Sequence, residues 1–547
     1  MLRVTISKVV DVIEALIGVR DGSVVAISGF NVATLPEYLL LKLYDMYKRT
    51  GHPRDLFLVC DAFPGAPGRG IDVIAKDMLE RGDYGFIRGL LFPYYGFSEA
   101  LQKLIAGNFV EAYSWGIGIM AYWFREVGSG RPGVLTRVGL GTVFDPRLEG
   151  GALNDLARER RTARVDIVNV GGEEYLLYRA PKPEVALVRG STADEVGNLT
   201  MEDEAVYGTV LAIVQATKAM PRKGLVIAQV LRLARFGSLQ PQQVVVPGPL
   251  VDYVVLAPRE YHMQTASIDY DPTISGRIIP PLEFIQRQPR VLDVRKVVAR
   301  RVLVELARTV VEEGRPIVIN LGIGIPAEVS QLIAEERLGD YIHTTIESGP
   351  WGGVALLGPD FGASRGPFAI LSMPDQFSLY EGGIIDAASL GFLQVDELGN
   401  VNPSYLPGRL PGPGGFPVIA DGAPRLYFAG EFTAGKRDIK VGDGKLLIVS
   451  DGTILKFIKR VYKVFWNSRE GLKRGQKVLY ITERAVFKLA EDGVRLVEVA
   501  PGVDLEKHVL GKMEFKPIID KYEEMDRELF REEPLNIISW IKSEIRR

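Results

Sequence analysis

A glutamate set among glycines is the residue in this chain best suited to covalent chemistry. Glu347 opens the run Glu347-Ser348-Gly349-Pro350-Trp351-Gly352-Gly353, directly after the strand-like stretch Tyr341 to Ile346. A carboxylate leaving the C-terminal end of a parallel strand stands on the rim where open α/β sheets bind ligands. Neighbouring glycines remove side-chain bulk and expose backbone donors, which suits attack on a carbonyl and stabilisation of the oxyanion that forms. A second segment, Asn320-Leu321-Gly322-Ile323-Gly324-Ile325-Pro326, ends one expected strand and opens a helix. Pro326 falls in the first turn, where its missing N–H is harmless. Main-chain N–H groups of such a loop can hold a phosphate or a developing oxyanion. Both segments also have a plain structural reading. Gly-x-Gly serves tight strand-to-helix packing, the third glycine of a dinucleotide fingerprint is missing, and a loop glutamate can simply be solvated.

The remaining reactive residue types point elsewhere or nowhere. His262 and His343 have no Gly-x-Ser-x-Gly elbow to serve. Neither His-x-x-x-His nor Cys-x-x-Cys spacing occurs, so no metal is expected. The single cysteine, Cys60, cannot form an internal disulfide; it reads as a small buried apolar side chain and fits a reducing compartment. Charged residues make up 24% of the chain and the formal net charge is −2, which offers no basic surface for nucleic acid. Met1-Leu2-Arg3-Val4-Thr5-Ile6-Ser7 lacks the features of a secretory signal. Apolar runs such as Val24 to Ile27 and Gly224 to Val230 are too short to cross a membrane. The expectation is a cytoplasmic protein.

Around these residues the chain alternates short apolar runs with helical periodicity. Ser7 to Ile17 carries helical spacing, and Val24 to Ile27 follows as a buried strand. Leu56 to Val59, Glu99 to Ile105, Val110 to Tyr113 and Ile119 to Val127 continue as strand, helix, strand, helix. Strands resume at Val185 to Val188, Leu225 to Val230 and Tyr253 to Leu256. Pro272, Pro280, Pro281 and Pro289 then mark a stretch without periodicity. Beyond it a helix, Val291 to Glu312, leads into the strand Ile317 to Asn320, and the α/β pattern restarts. A β-leaning stretch, Lys445 to Val497, and a charged tail with helical character, Tyr522 to Arg547, complete the chain. This grammar predicts an α/β fold of two related, open, mostly parallel sheet domains fused in one chain. The expected boundaries are 1–270, a linker at 271–290, and 291–547 carrying Glu347. An internal echo supports related halves: Asp194-Glu195-Val196-Gly197-Asn198 against Asp396-Glu397-Leu398-Gly399-Asn400, and Gly29 to Pro36 against Gly322 to Pro326. The first echo is equally ordinary turn chemistry.

Taken together, these segments resemble the class I CoA-transferase family, in particular its single-chain propionate and acetate CoA-transferase branch. The resemblance runs along nearly the whole chain. Its earlier markers are Asp21-Gly22 before Gly29-Phe30, Arg131 to Thr136, and Gly139 to Arg147. Its later ones are Glu347-Ser348-Gly349-Pro350, Gln394-Val395-Asp396, Gly399 to Asn402, Gly414-Gly415-Phe416, Phe432 to Gly435, and Met513 to Pro517. The order of these markers is more specific than any one of them.

The resemblance implies two similar α/β domains with an active site between them and a transferase that moves CoA between carboxylic acids. Glu347 matches the family nucleophile. Gly322, Gly324 and Pro326 match its Gly-x-Gly-x-Pro loop beside the CoA thioester, and Gly414 and Gly415 match a glycine pair near CoA. No tightly bound cofactor is implied: coenzyme A is substrate and covalent intermediate, acyl-CoA and small carboxylic acids are the partners, and the enzyme is a homo-oligomer. Where relatives read Pro-Gln-Gly, this chain reads Gly116-Ile117-Gly118, which removes a polar amide near the acyl group. Ile117 and the bulky Trp351 beside the nucleophile are therefore acyl-pocket candidates; core packing of the Trp351 ring is the alternative. Competing functions are an acyl-CoA hydrolase using the same glutamate and a non-catalytic sensing or assembly protein on the same fold. A nicotinamide dehydrogenase lacks its phosphate fingerprint and ribose-binding acid.

Overall fold

The computed structural model describes residues 7–221, 223–280 and 289–545. Its contacts divide the chain into two compact units: Met1–Ile278 with Ile370–Phe377 and Pro407–Gly415, and Ile279–Ala369 with Ser378–Leu406 and Phe416–Arg547.

The first unit is built on seven parallel strands in the order Tyr253–Leu256, Leu225–Ala234, Val185–Asp194, Val24–Ile27, Leu56–Cys60, Ile87–Leu91, Glu111–Tyr113. Every residue of Val24–Ile27 and of Leu56–Cys60 is buried. That is why these strands read as continuous apolar runs: helices cover both faces of a parallel sheet. Cys60 is among the buried residues and is a free thiol pushed well above its usual pKa by burial. The expected helix from Ser7 is shorter. Asp11 accepts the N–H of Ile13 and caps a helix of only Val12–Leu16, while the Val10 N–H donates to the Val254 carbonyl and extends the sheet edge. A three-stranded antiparallel sheet, Val134–Thr136, Glu173–Arg179 and Arg164–Val170, carries no alternation strong enough to read in advance.

In the second unit the strands run Ile342–Thr345, Ile317–Leu321, Ala387–Leu390, Arg425–Ala429 and Lys477–Ile481, all parallel, before Ala485–Ala490 and Gly493–Val499 continue antiparallel. The helix Val294–Glu313 lies over this sheet, capped by Asp293, whose carboxylate accepts the Lys296 N–H. Buried apolar side chains on it, among them Val298, Val302 and Leu306, share one core with Ile319, Leu321 and Ala387. The β-leaning stretch opens with Lys445–Ser450, paired antiparallel with Asp438–Gly442 just before it, and also contains a helix, Ser468–Lys473. Among the described residues of the charged tail only Ile537–Ile545 is α-helical; Arg527–Phe530 is a single 3₁₀ turn.

Of the expected linker, 281–288 lies outside the described residues, as do residues 1–6. Residues 271–278 pack within the first unit: Ile274 is fully buried and Arg277 pairs with Asp203. The internal echo is a repeated turn. Asp194 Oδ1 accepts the N–H groups of Val196 and Asn198, and its Oδ2 accepts the Asn198 amide. Asp396 does the same for Leu398 and Asn400. Gly197 and Gly399 occupy matching positive φ, 91° and 86°, which only glycine adopts without strain.

Candidate functional site

Strand order places two chemically promising loops side by side in the second unit. Ile317–Leu321 and Ile342–Thr345 are parallel neighbours with Asn320 opposite Thr345. The first runs into Gly322 and the second into Glu347. The Gly349 N–H donates to the Ile346 carbonyl (2.9 Å), closing a four-residue turn, and the Ile346 N–H donates to the Pro350 carbonyl (3.0 Å). Thr345 then pairs antiparallel with Trp351. Glu347 is therefore the second residue of a tight turn, half-buried between the buried Ile346 and Ser348. Gly349 has φ +125°, so the turn requires the glycine that follows the glutamate. The Ser348 hydroxyl donates to the Gly362 carbonyl and pins the turn from below.

The adjacent loop is held by different means. The Gly322 N–H donates to the Ser389 carbonyl (2.9 Å) of the next strand, and a Cβ on Gly322 would lie 2.9 Å from Leu390 Cδ2. Gly322 thus provides packing and a sheet hydrogen bond. Gly324 is the N-cap of the helix Ile325–Glu335 at φ +90° with open space where a side chain would be. Pro326, in the first turn, has no N–H to give. Among the described residues the N–H groups of Ile323 and Gly324 have no backbone acceptor, which leaves them able to donate to a ligand; spacing alone singled out Gly324 and not Ile323. Ala327, one residue after Pro326, packs in a small cluster with Ile346, Ala355 and Phe361. The helix start and the glutamate turn are thereby fastened to each other.

Beneath them lies a buried polar network. The Asn320 amide donates to the Thr345 carbonyl (3.3 Å) and to the Tyr380 hydroxyl (3.0 Å). Tyr380 donates to Thr345 Oγ1 (3.0 Å), which donates to the Ile319 carbonyl (2.8 Å). Asn320 Oδ1 is buried without a partner among the described residues. Asn320 and Thr345 could have been suspected as polar residues inside apolar strands; Tyr380, on the helix Met373–Glu381, gives no such signal. Trp351 is half-buried, its ring 6.4 Å from Phe368 in an edge-on contact, and His343 meets the same Phe368 ring. His262 is a buried residue of the first unit.

The other expected site residues fall in the first unit, where two of them meet. Ile117, buried, opens the helix Ile117–Gly128, and its N–H donates to the Gly414 carbonyl (2.9 Å). The Gly414 N–H donates in turn to the Pro93 carbonyl (3.2 Å). Gly414 has φ +60°, and Gly415 beside it is buried. The structure thus brings together Gly322, Gly324, Pro326, Glu347 and Trp351 in one unit, and Ile117, Gly414 and Gly415 in the other. Among the described residues no group of three or more His, Cys, Asp or Glu is arranged to hold a metal ion, and no helix is long and apolar enough to cross a membrane.

This is an α/β chain whose architecture matches known acyl-transfer enzymes over its full length. It superimposes on the acyl-CoA transferase YdiF apoenzyme from Escherichia coli O157:H7 with a TM-score of 0.87 at 33% identity, covering 98% of each chain. A thioester complex of that protein with CoA gives 0.85 at 33% identity, covering 97% of each. The model of the coenzyme A transferase family matches residues 9–257. Caffeate CoA-transferase of Acetobacterium woodii is 38% identical over 533 residues, 96% of this chain and 98% of that protein. Acetate CoA-transferase YdiF of Escherichia coli strain K12 is 36% identical over 494 residues, 90% and 89% of the two chains. The chain belongs to the coenzyme A transferase family, and the protein is a CoA-transferase.

Proposed function

We propose that this CoA-transferase exchanges CoA between short-chain carboxylic acids, such as acetate and propionate, by a ping-pong route through a glutamyl-CoA thioester on Glu347. The observation that carries the reading is the juxtaposition of a carboxylate at the corner of a glycine-bearing turn with a donor-rich loop at the end of the neighbouring parallel strand. A Glu347 oxygen attacks the acyl-CoA carbonyl; a C–O bond forms, the C–S bond breaks, and CoA leaves as thiolate. The thiolate attacks the glutamyl carbonyl of the mixed anhydride, forming the enzyme thioester and releasing the donor acid. The acceptor carboxylate reverses both steps. Anhydride and thioester are both high-energy acyl groups, so no nucleotide is consumed. The Ile323 and Gly324 N–H groups are the donors for the oxyanion in each tetrahedral stage, a contribution of the type worth about 3 kcal/mol per donor. Water must be kept from the thioester, and the buried Ile346 and Ser348 on either side of Glu347 help to do so. Support for the covalent route comes from the CoA thioester complex of the structural neighbour.

The test is incubation with propionyl-CoA, borohydride reduction and peptide mass analysis. The expected result is modification at Glu347, lost in Glu347→Ala. An unmodified wild-type protein that still transfers CoA would refute the covalent route. Release of free CoA at the same rate with and without acetate would make the enzyme a hydrolase instead.

A further inference from the structure

Lys456 is a buried amine that the transfer steps above do not use. It is 8% exposed, and its Nζ lies 4.0 Å from the centre of the Phe392 ring. Among the described residues the ammonium has no hydrogen bond and no ion pair within 4.0 Å, and it lies over the Phe392 ring. The charged groups that act on it are Glu483 and Glu431, which favour its charge, and Arg437, which opposes it. Both glutamates are already engaged. Glu483 accepts from Arg484 Nε (2.7 Å) and from the Phe432 N–H (2.8 Å), and Glu431 pairs with Arg437. A buried charge without its own counter-ion is costly, and burial lowers the Lys456 pKa to about 8.

Its position in the sheet gives that charge a use. Three neighbouring parallel strands are each followed directly by a glycine, Gly322, Gly391 and Gly430. A Cβ on Gly430 would lie 3.0 Å from Lys456 Nζ and 2.9 Å from the Phe392 ring. The amine thus occupies room left by a glycine on the C-terminal rim, the same rim that carries Glu347. From Ile342–Thr345 to Arg425–Ala429 is three strand spacings, roughly 14 Å along the rim. A short acyl group on Glu347 does not span that distance; the pantetheine arm of CoA does, and a diphosphate follows that arm.

We propose that Lys456 binds a phosphate of coenzyme A while the thioester end reacts at Glu347. The inference rests on the Glu347 reading for the position of the sulfur. A phosphate oxygen supplies the counter-charge the protein withholds, through a charge-assisted hydrogen bond, and CoA binding remote from the reacting carbon can be realised in the transition state.

The experiment compares wild type, Lys456→Gln and Lys456→Arg on propionyl-CoA and on propionyl-pantetheine, which has the same thioester without phosphates. Lys456→Gln is expected to raise KM for propionyl-CoA about tenfold or more and to leave propionyl-pantetheine unchanged, with Lys456→Arg near wild type. KM for propionyl-CoA should rise in wild type as pH passes upward through about 8 and stay flat in Lys456→Arg. An unchanged KM for propionyl-CoA, equal losses on both thioesters, or an effect confined to the acceptor acid would overturn the assignment. The CoA adduct on Glu347 is measured in parallel. Its absence in wild type removes the Glu347 reading, whereas the KM contrast between the two thioesters decides the Lys456 assignment whichever way the adduct falls.

Discussion

Glu347, the proposed nucleophile, is placed by backbone geometry. It stands second in a turn whose fourth residue, Gly349, has φ +125°. Replacing it with Gln keeps the size and removes the nucleophile; transfer should fall at least about a thousandfold, measured as acetate-dependent CoA exchange. Gly324, at φ +90° and ψ −137°, is in a region closed to other residues. Gly324→Ala should cost about 1–3 kcal/mol in denaturant unfolding and lower kcat by displacing the Ile323 and Gly324 donors. Trp351 is the specificity candidate. If its ring limits the acyl chain, Trp351→Ile shifts the preference among acetyl-, propionyl- and longer acyl-CoA upward in length; an unchanged profile assigns the ring to packing against Phe368.

At the scale of elements, the question is what keeps two strand ends in register with each other. Sheet hydrogen bonds stop at Thr345, and Asn320, Tyr380 and Thr345 continue the cross-link one layer deeper. A buried network of this kind is costly to leave half-made. Tyr380→Phe removes the hydroxyl that both Asn320 and Thr345 use. It should destabilise the protein by about 1–3 kcal/mol and lower kcat severalfold with little change in KM, because the turn carrying Glu347 loosens while the rest of the rim is kept. Equal kcat in the variant would assign the network to stability alone.

For the molecule as a whole, one source of pH-dependent stability is a buried histidine of the first unit, His262. Burial, reinforced by the positive charge of Arg189, holds the His262 pKa down to about 3. The unfolded chain titrates this group near 6.5, so between those values the unfolded state binds the extra proton. Stability is full above about pH 6.5 and is lost as pH falls toward 3, by at most about 5 kcal/mol. Urea unfolding at pH 7, 5 and 4 should therefore show a steeper decline for wild type than for His262→Gln; parallel declines would reject this role.

Local order was legible in the residues because it depends on neighbours in the chain. The apolar runs Val24 to Ile27 and Ile317 to Asn320 had to be strands covered on both faces, Pro326 had to lie near a helix start, and Glu347 had to leave a strand into a glycine turn. The helical spacing from Ser7 to Ile17 overstates the helix, because Asp11 caps it later and Val10 pairs with the edge of a distant strand. Periodicity carries no information about pairing across hundreds of residues. The same limit hid Tyr380 beneath Thr345, the Gly414 carbonyl at the Ile117 N–H, and the use of the Gly322 N–H by the Ser389 carbonyl. It hid Lys456 as well, since a lysine among apolar residues looks like any solvated surface residue until folding buries it against Phe392. Covalent order along the chain specifies turns, caps and strand ends; hydrogen-bond partners and desolvation are set by groups remote in sequence and exist only once the sheet has closed around them.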